Sequence, residues 1–293
     1  FEQLFRVDTA TFEKLLTDAR FAYYWRLQPS IRRLAADESA FVASPNDWPR
    51  DTLGRAIVPR NDARIAEPDY VLQIVLIHLS TTGELHEHAC LLGLLPSTLS
   101  MLHRAGMFVL KRCLREWSSA RIVMPTNEAE CHALALRAKV FSPAFEKCIG
   151  FIDGHLLRLE RSTNATVQTL NYSGYKKNDF KKAVWVMLSD GTIGWAAWDY
   201  PGSFHDAGVA KRAGLDAELA LLPAGYWIAA DAGFPHGDRI KKQLPASVMR
   251  CLSPEQRQLA LHLNAHFKRT ASENGIAQLV NPFRRLQVAC LAI

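Results

Sequence analysis

No two of the six cysteines form a Cys-x-x-Cys pair. They are scattered at Cys90, Cys113, Cys131, Cys148, Cys251 and Cys290. That argues against a zinc finger and supplies no disulfide framework. Several lie in apolar runs, where a free thiol packs as a small hydrophobe, so a reducing compartment is expected. No apolar run is long enough for a membrane span, and the start carries no signal-peptide pattern. No internal repeat recurs. Phe1 stands where a Met would open a complete chain, which leaves targeting segments at either end open.

What is present is a chain of 293 residues, 48% of them apolar. That allows one large domain or two modest ones, with a sizeable core and no expectation of disorder. The formal net charge of +6 points to an acidic partner. Nucleic acid comes first and an anionic membrane second, although ordinary soluble proteins are also basic.

Residues 1–68 read as a helical N-terminal region followed by a loop. Thr9 or Thr11 is the expected cap of a helix through Phe12, Leu15, Leu16 and Ala19. The aromatic residues between Phe21 and Trp25 are expected in a core. A stretch rich in Pro, Asn, Asp and Arg over 43–68 has no periodicity and reads as the loop.

Residues 69–140 read as a helix-turn-helix-like helical domain. A helix over 70–79 is broken at Thr81-Thr82-Gly83. A short helix over 84–92 meets a turn at Gly93, and Pro96 opens a helix over 99–117, since a helix tolerates proline in its first turn. In a helix-turn-helix unit this second helix presents Ser97, Thr98, Ser100 and either His103 or Arg104 to a major groove. A plain helical hairpin has the same layout. His86 and His88, two apart on a helix, face different ways and make no metal motif. A helix over 127–140, with Thr126 as its expected cap, leads into the next segment.

That segment, CIGFIDGHLLRL over 148–159, is the centre of the remaining chain, 141–293. Ile149, Phe151 and Ile152 suit a buried strand. Asp153 interrupts the run, and a carboxylate so placed needs a partner, of which a metal ion is one. An Asp-Gly pair alone can simply end a strand in a turn. A second strand over 183–188, an Asp190-Gly191 hairpin signal and a third strand over 192–198 follow. A helix over 207–215, a strand over 225–230 ending at Asp231, and a helix over 255–280 complete a mixed α/β pattern.

Asp153 and Asp231 sit in matching contexts, each at the end of an apolar strand and close to a glycine. The carboxyl ends of strands in open sheets are where sites form. Two carboxylates side by side repel and need a proton or a divalent cation. Oxygen ligands alone favour Mg²⁺ or Mn²⁺. Glu273 falls on one helix face with Arg269, Ile276 and Val280, and Asp206 opens a helix, where an acid also stabilises the N-terminus. Tyr172, Tyr175, Lys176, Lys177, Lys181 and Lys182 interleave aromatics with lysines, a pattern suited to stacking and phosphate contact or to a solvated hairpin entry. Arg284 and Arg285 are candidates for backbone contact or for a helix cap.

FIDGHLLRL, YPGSFHDAGV, WIAADAGFP and SENGIAQLVNPFRRL, in this order, resemble the PIF/Harbinger-type transposases of the DDE superfamily endonucleases. The resemblance runs over about 141–288. It implies a ribonuclease H-like mixed sheet flanked by helices, with Asp153, Asp231 and Glu273 as the acidic triad and Asp206 as a further metal-binding position. It implies divalent-metal-dependent cleavage of DNA, with strand transfer also open, and a compartment that is the nucleus or the cytoplasm. A Myb-like DNA-binding partner and a homo-oligomer are left open; a membrane partner is not expected. The Glu273 segment departs from the family's more usual Arg-x-x-Val-Glu-Arg wording. A silent, transposase-derived DNA- or protein-binding factor stays as the alternative, and a small-molecule phosphohydrolase as a more distant one.

Overall fold

The computed structural model describes residues 7–266 except 48, 49, 51, 53–65, 82, 83, 141, 160 and 175. Two compact units meet in the chain between Arg121 and Ile122.

The first unit is helical: α1 (Thr9–Leu16), α2 (Phe21–Leu27), α3 (Ile31–Ala36), α4 (Pro68–Ser80), α5 (Leu85–Leu92) and α6 (Pro96–Glu116). Asp8, rather than Thr9 or Thr11, caps α1, its Oδ1 accepting from the Thr11 N–H at 2.7 Å. The helical stretch before residue 40 is cut into three because Arg20 takes a left-handed φ of 62° and the chain extends again at Gln28. α6 is the axis of the unit. Its buried residues Leu99, Leu102, Ala105, Gly106, Val109, Leu110 and Cys113 recur three or four apart, the stripe of a helix packed along one side. At Gly106 a Cβ would fall 2.7 Å from Val75 and 2.9 Å from Val71, so only glycine lets α4 and α6 come this close. Phe21 and Trp25 join the same core, which therefore spans both helical regions read from the sequence. Gly93, at φ 64°, makes the turn between α5 and α6.

The second unit is mixed α/β. It opens with α7 (Glu128–Lys139), capped not by Thr126 but by Asn127, whose Oδ1 accepts from the Glu130 N–H at 2.8 Å. The sequence reading grouped this helix with the preceding ones. Its buried Cys131, Leu134 and Ala135 instead pack into the core of the sheet. The strands are β1 (Cys148–Arg158), β2 (Tyr172–Ser173), β3 (Asn178–Leu188), β4 (Ile193–Pro201), β5 (Trp227–Ala230) and β6 (Ile240–Lys242). Their order is β2-β3-β1-β5-β6, with β4 also paired to β3. β1, β3 and β4 are antiparallel neighbours, whereas β1, β5 and β6 run parallel.

The expected hairpin forms. Gly191 takes φ 90°, and Asp190 Oδ1 holds the Thr192 N–H at 2.9 Å. The helices are α8 (Ala165–Asn171), α9 (Asp206–Arg212), α10 (Leu215–Ala220), α11 (Ala246–Met249) and α12 (Pro254–His266). α9 and α10 replace the single helix expected over 207–215, because Gly214 breaks it at φ 79°. Of the helix expected over 255–280, the part beyond His266 lies outside the described residues. Among the described residues no helix is long and apolar enough to cross a membrane.

Candidate active site

β1 changes character along its length. Residues 148–152 are buried and 153–157 are half-buried. The buried half is held by β3 on one side and β5 on the other. Ile152 pairs with Ala230 in the parallel β1–β5 register, so Asp231, the first residue beyond β5, follows beside Asp153, which lies midway along β1. Neighbouring strands lie about 4.8 Å apart.

Alternation decides the faces. Phe151, Trp227 and Ala229 share one small core cluster, and Phe151 pairs with Ala229. Two residues on, Asp153 falls on that same face, and the same alternation carried one residue past the end of β5 puts Asp231 there too. The Gly154 N–H donates to Asp153 Oδ1 at 2.8 Å, and the Gly233 N–H donates to Asp231 Oδ1 at 2.9 Å. Asp231 is exposed, at the mouth of the turn that leaves β5.

Asp206 is not on that face. Ile152 and Val184 belong to the larger core cluster on the other side of the sheet, and Gly154 pairs with Val184. A Cβ built on Gly154 would lie 2.3–2.5 Å from the Asp206 carboxyl group. The carboxyl group therefore rests directly on the bare Cα of Gly154, across β1 from Asp153. Lys182, which pairs with Leu156 on this side, meets Asp206 Oδ1 at 2.7 Å. Only 11% of the Lys182 side chain and 29% of the Asp206 side chain are exposed. A pair so enclosed is a charge match between β3 and the start of α9. The resemblance implied a ligand at Asp206, while sheet alternation gives it Lys182 as its counter-ion. Among the described residues no group of three or more His, Cys, Asp or Glu side chains could hold a metal ion.

Two residues on the acid face carry no role in the sequence reading. Trp185 pairs with Asp153, and its buried Nε1 has no hydrogen-bond partner among the described residues. His155 lies against Trp185, with ring centroids 5.9 Å apart. Burial pushes its imidazole below the ordinary histidine value, which favours the neutral ring. The signal for both was in the sequence: once Asp153 is assigned to a face, period-two alternation and the antiparallel register bring His155 and Trp185 with it.

The other candidates divide between the units. Lys176 and Lys177 are exposed at the entry to β3, and Lys177 has a left-handed φ of 52°. Lys181 pairs with Asp199 at 3.0 Å. In the helical unit Ser97, Thr98, Ser100 and Arg104 line a cleft of about 320 Å³ at the start of α6, together with Arg32 from α3. Arg32 was not singled out from sequence, because only the packing of α3 on α6 brings it there. Tyr175, Glu273, Arg284 and Arg285 lie outside the described residues.

Residues 152–291 match the family model of the DDE superfamily endonucleases. The matched segment is just under half of the chain, and it holds all four acids singled out above. No curated protein and no solved structure matches the chain.

Proposed function

We propose, from the match to the DDE superfamily endonucleases, that the second unit is a divalent-cation-dependent nuclease that cleaves DNA phosphodiester bonds in the manner of a transposase. The observation that carries this reading is the parallel register Ile152–Ala230, which sets Asp153, midway along β1, beside Asp231, the first residue beyond β5. Carboxylate oxygens alone suit a hard cation such as Mg²⁺ or Mn²⁺. Asp153 and Asp231 would hold the cation, with Glu273 as the third acid, in a ribonuclease H-like arrangement of the PIF/Harbinger type. When bound, divalent cations activate the attacking oxygen and stabilise the leaving one.

The chain's own contributions follow from its residues. Gly154 and Gly233 fix the two carboxylates through backbone N–H groups. Burial favours the neutral form of His155, which carries no positive charge to compete for Asp153. Lys176, Lys177 and Lys181, with Tyr175, Arg284 and Arg285, are proposed to contact the DNA backbone. Lys182 acts through Asp206. Asp206 itself is proposed as a positioning residue that fixes the strand beneath Asp153, in place of the ligand role the resemblance implied.

In the helical unit Ser97, Thr98, Ser100 and Arg104 are proposed to touch duplex DNA in a helix-turn-helix manner. With DNA as substrate the nucleus is the proposed compartment; a Myb-like partner and self-association belong to the same reading. The test is Mn²⁺-dependent nicking of plasmid DNA by the full chain. Nicking that is lost in Asp153→Ala supports the reading, and a native protein that never nicks ends it.

A second reading is a silent factor that binds DNA without cutting it. Its support is that Asp206, one of the four acids, is already paired with Lys182 at 2.7 Å. It expects affinity for DNA that falls steeply with salt, from counterion release, and no nicking.

A further inference from the structure

We propose that Trp198 is a base-stacking residue, which takes an unpaired nucleobase of the DNA strand whose phosphate lies at Asp153 and Asp231. The proposal rests on the reading of the acid face as a DNA site.

Three observations meet at this residue. Trp198 is 61% exposed on β4, whereas Trp195 on the same strand is 8% exposed and lies in the core. Among the described residues β4 pairs only with β3. A tryptophan in water on a sheet edge invites unwanted association, and natural edges tend to carry charge instead.

The backbone is shaped around it. Lys182 pairs with Tyr200 and Val184 with Ala197, so Trp198 and Asp199 together oppose the single residue Ala183. This is a β-bulge, a device that re-aims a side chain and is over-represented beside active sites. Asp199 takes φ 67°, in the left-handed region, where a non-glycine residue is strained. Lys181 Nζ holds that conformation through Asp199 Oδ1 at 3.0 Å.

The third observation is position. Ala183 pairs with His155 on its other side, so His155, Ala183 and the bulge form one row across the sheet. Lys181, which ties the bulge, shares Asp153's face by alternation. Two strand spacings separate the bulge from β1, roughly 10 Å. With the further two residues along β1 to Asp153, about 7 Å, the separation is roughly 12 Å, or three to four nucleotides at about 3.4 Å each. Exposed Lys176 and Lys177 at the entry to β3 give this edge the charge that a phosphate backbone complements. An aromatic surface beside lysines binds single strands without sequence preference, because every base has a π face.

The experiment measures binding of a fluorescent single-stranded thymidine oligonucleotide to the full chain in Ca²⁺, with native protein, Trp198→Ala and Trp198→Phe. Trp198→Ala is expected to weaken binding by roughly 5- to 100-fold, with Trp198→Phe between it and native. The dependence on salt should keep its slope, since stacking releases no counterions. The melting temperature should not move, since the side chain is mostly in water. Equal affinity of native and Trp198→Ala overturns the proposal, as does a native protein that does not bind the oligonucleotide. So does a change of oligomeric state in Trp198→Ala with DNA affinity intact, which would make the residue a contact between copies of this chain. The two ideas fail separately. Trp198-dependent binding without any nicking in Mn²⁺ sinks the nuclease reading alone. Nicking with Trp198→Ala indistinguishable from native sinks this proposal alone.

Discussion

The two faces of β1 at its polar end handle acid in opposite ways. On one, Asp153 follows Ile152 on β1 and Asp231 follows its partner Ala230 on β5. On the other, Asp206 is matched by Lys182 at 2.7 Å and wedged against Gly154. Carboxylates on neighbouring strands gain from an added cation, and the enclosed Asp206–Lys182 pair has less to gain. An acid beside β1 is thus not by itself a ligand. Its face and its partner decide.

The largest expected effect breaks the first face. Asp153→Asn and Asp231→Asn should each lower Mn²⁺-dependent nicking by more than the roughly 10- to 100-fold that disturbing an outer-sphere partner costs. Calorimetric titration with Mn²⁺ should show affinity reduced in both. Asp206→Asn is the contrast. It should leave Mn²⁺ affinity within about twofold of native while costing about 1–3 kcal/mol of stability, because Lys182 is left enclosed without its counter-ion. A loss of Mn²⁺ affinity in Asp206→Asn comparable to that in Asp231→Asn would merge the two faces and return Asp206 to the ligands.

Gly154 is the wall between them, so enlarging it comes next. Gly154→Ala drives a methyl group to within 2.3–2.5 Å of the Asp206 carboxyl group, and something must shift. Overpacking of this kind costs typically about 1–3 kcal/mol. In an Asp206→Ala background the obstacle is gone, so the same substitution should cost clearly less. Urea midpoints of the four proteins give the coupling between sites. Additive costs would mean that the Asp206 carboxyl group does not rest on Gly154 in solution.

Much of this sheet could be read from residues alone. The apolar run before Asp153, the Asp190-Gly191 turn and the short strand before Asp231 are local patterns, and the structure has each of them. What could not be read was which side of the sheet each acid takes. Register fixes that, and a one-residue slip would exchange the faces. Asp206 illustrates the gap: it opens α9, and it meets Lys182 on β3, which pairs with Leu156 on the far side of β1 from Asp153. The helix α7 is a similar case. Its sequence is as helical as those before it, and only the burial of Cys131, Leu134 and Ala135 against the sheet shows which unit it joins. Glu273, the third acid that the resemblance implies, lies outside the described residues.

The smallest effect sharpens the comparison from the far end of β1. Cys148 is fully buried there, its Sγ–H donating to the Gly150 carbonyl at 3.2 Å, and burial pushes its thiol from 9.0 up to about 12. The unfolded chain loses this proton first, so the folded state binds more protons between about 9 and about 12. Stability from this group is therefore complete below about 9 and lost as pH rises toward about 12. Native Cys148 should resist a thiol reagent under conditions where exposed Cys90 and Cys251 react, and should be labelled only when β1 opens. A cation that binds the folded state alone suppresses that opening, by RT ln(1 + [L]/Kd), or about 2.7 kcal/mol at 100 times Kd. Mn²⁺ should accordingly slow labelling of Cys148 in the native protein and in Lys182→Met, whose substitution lies on the face without the acid pair. It should have no such effect in Asp231→Asn. Protection by Mn²⁺ that survives in Asp231→Asn would place the cation elsewhere in the molecule.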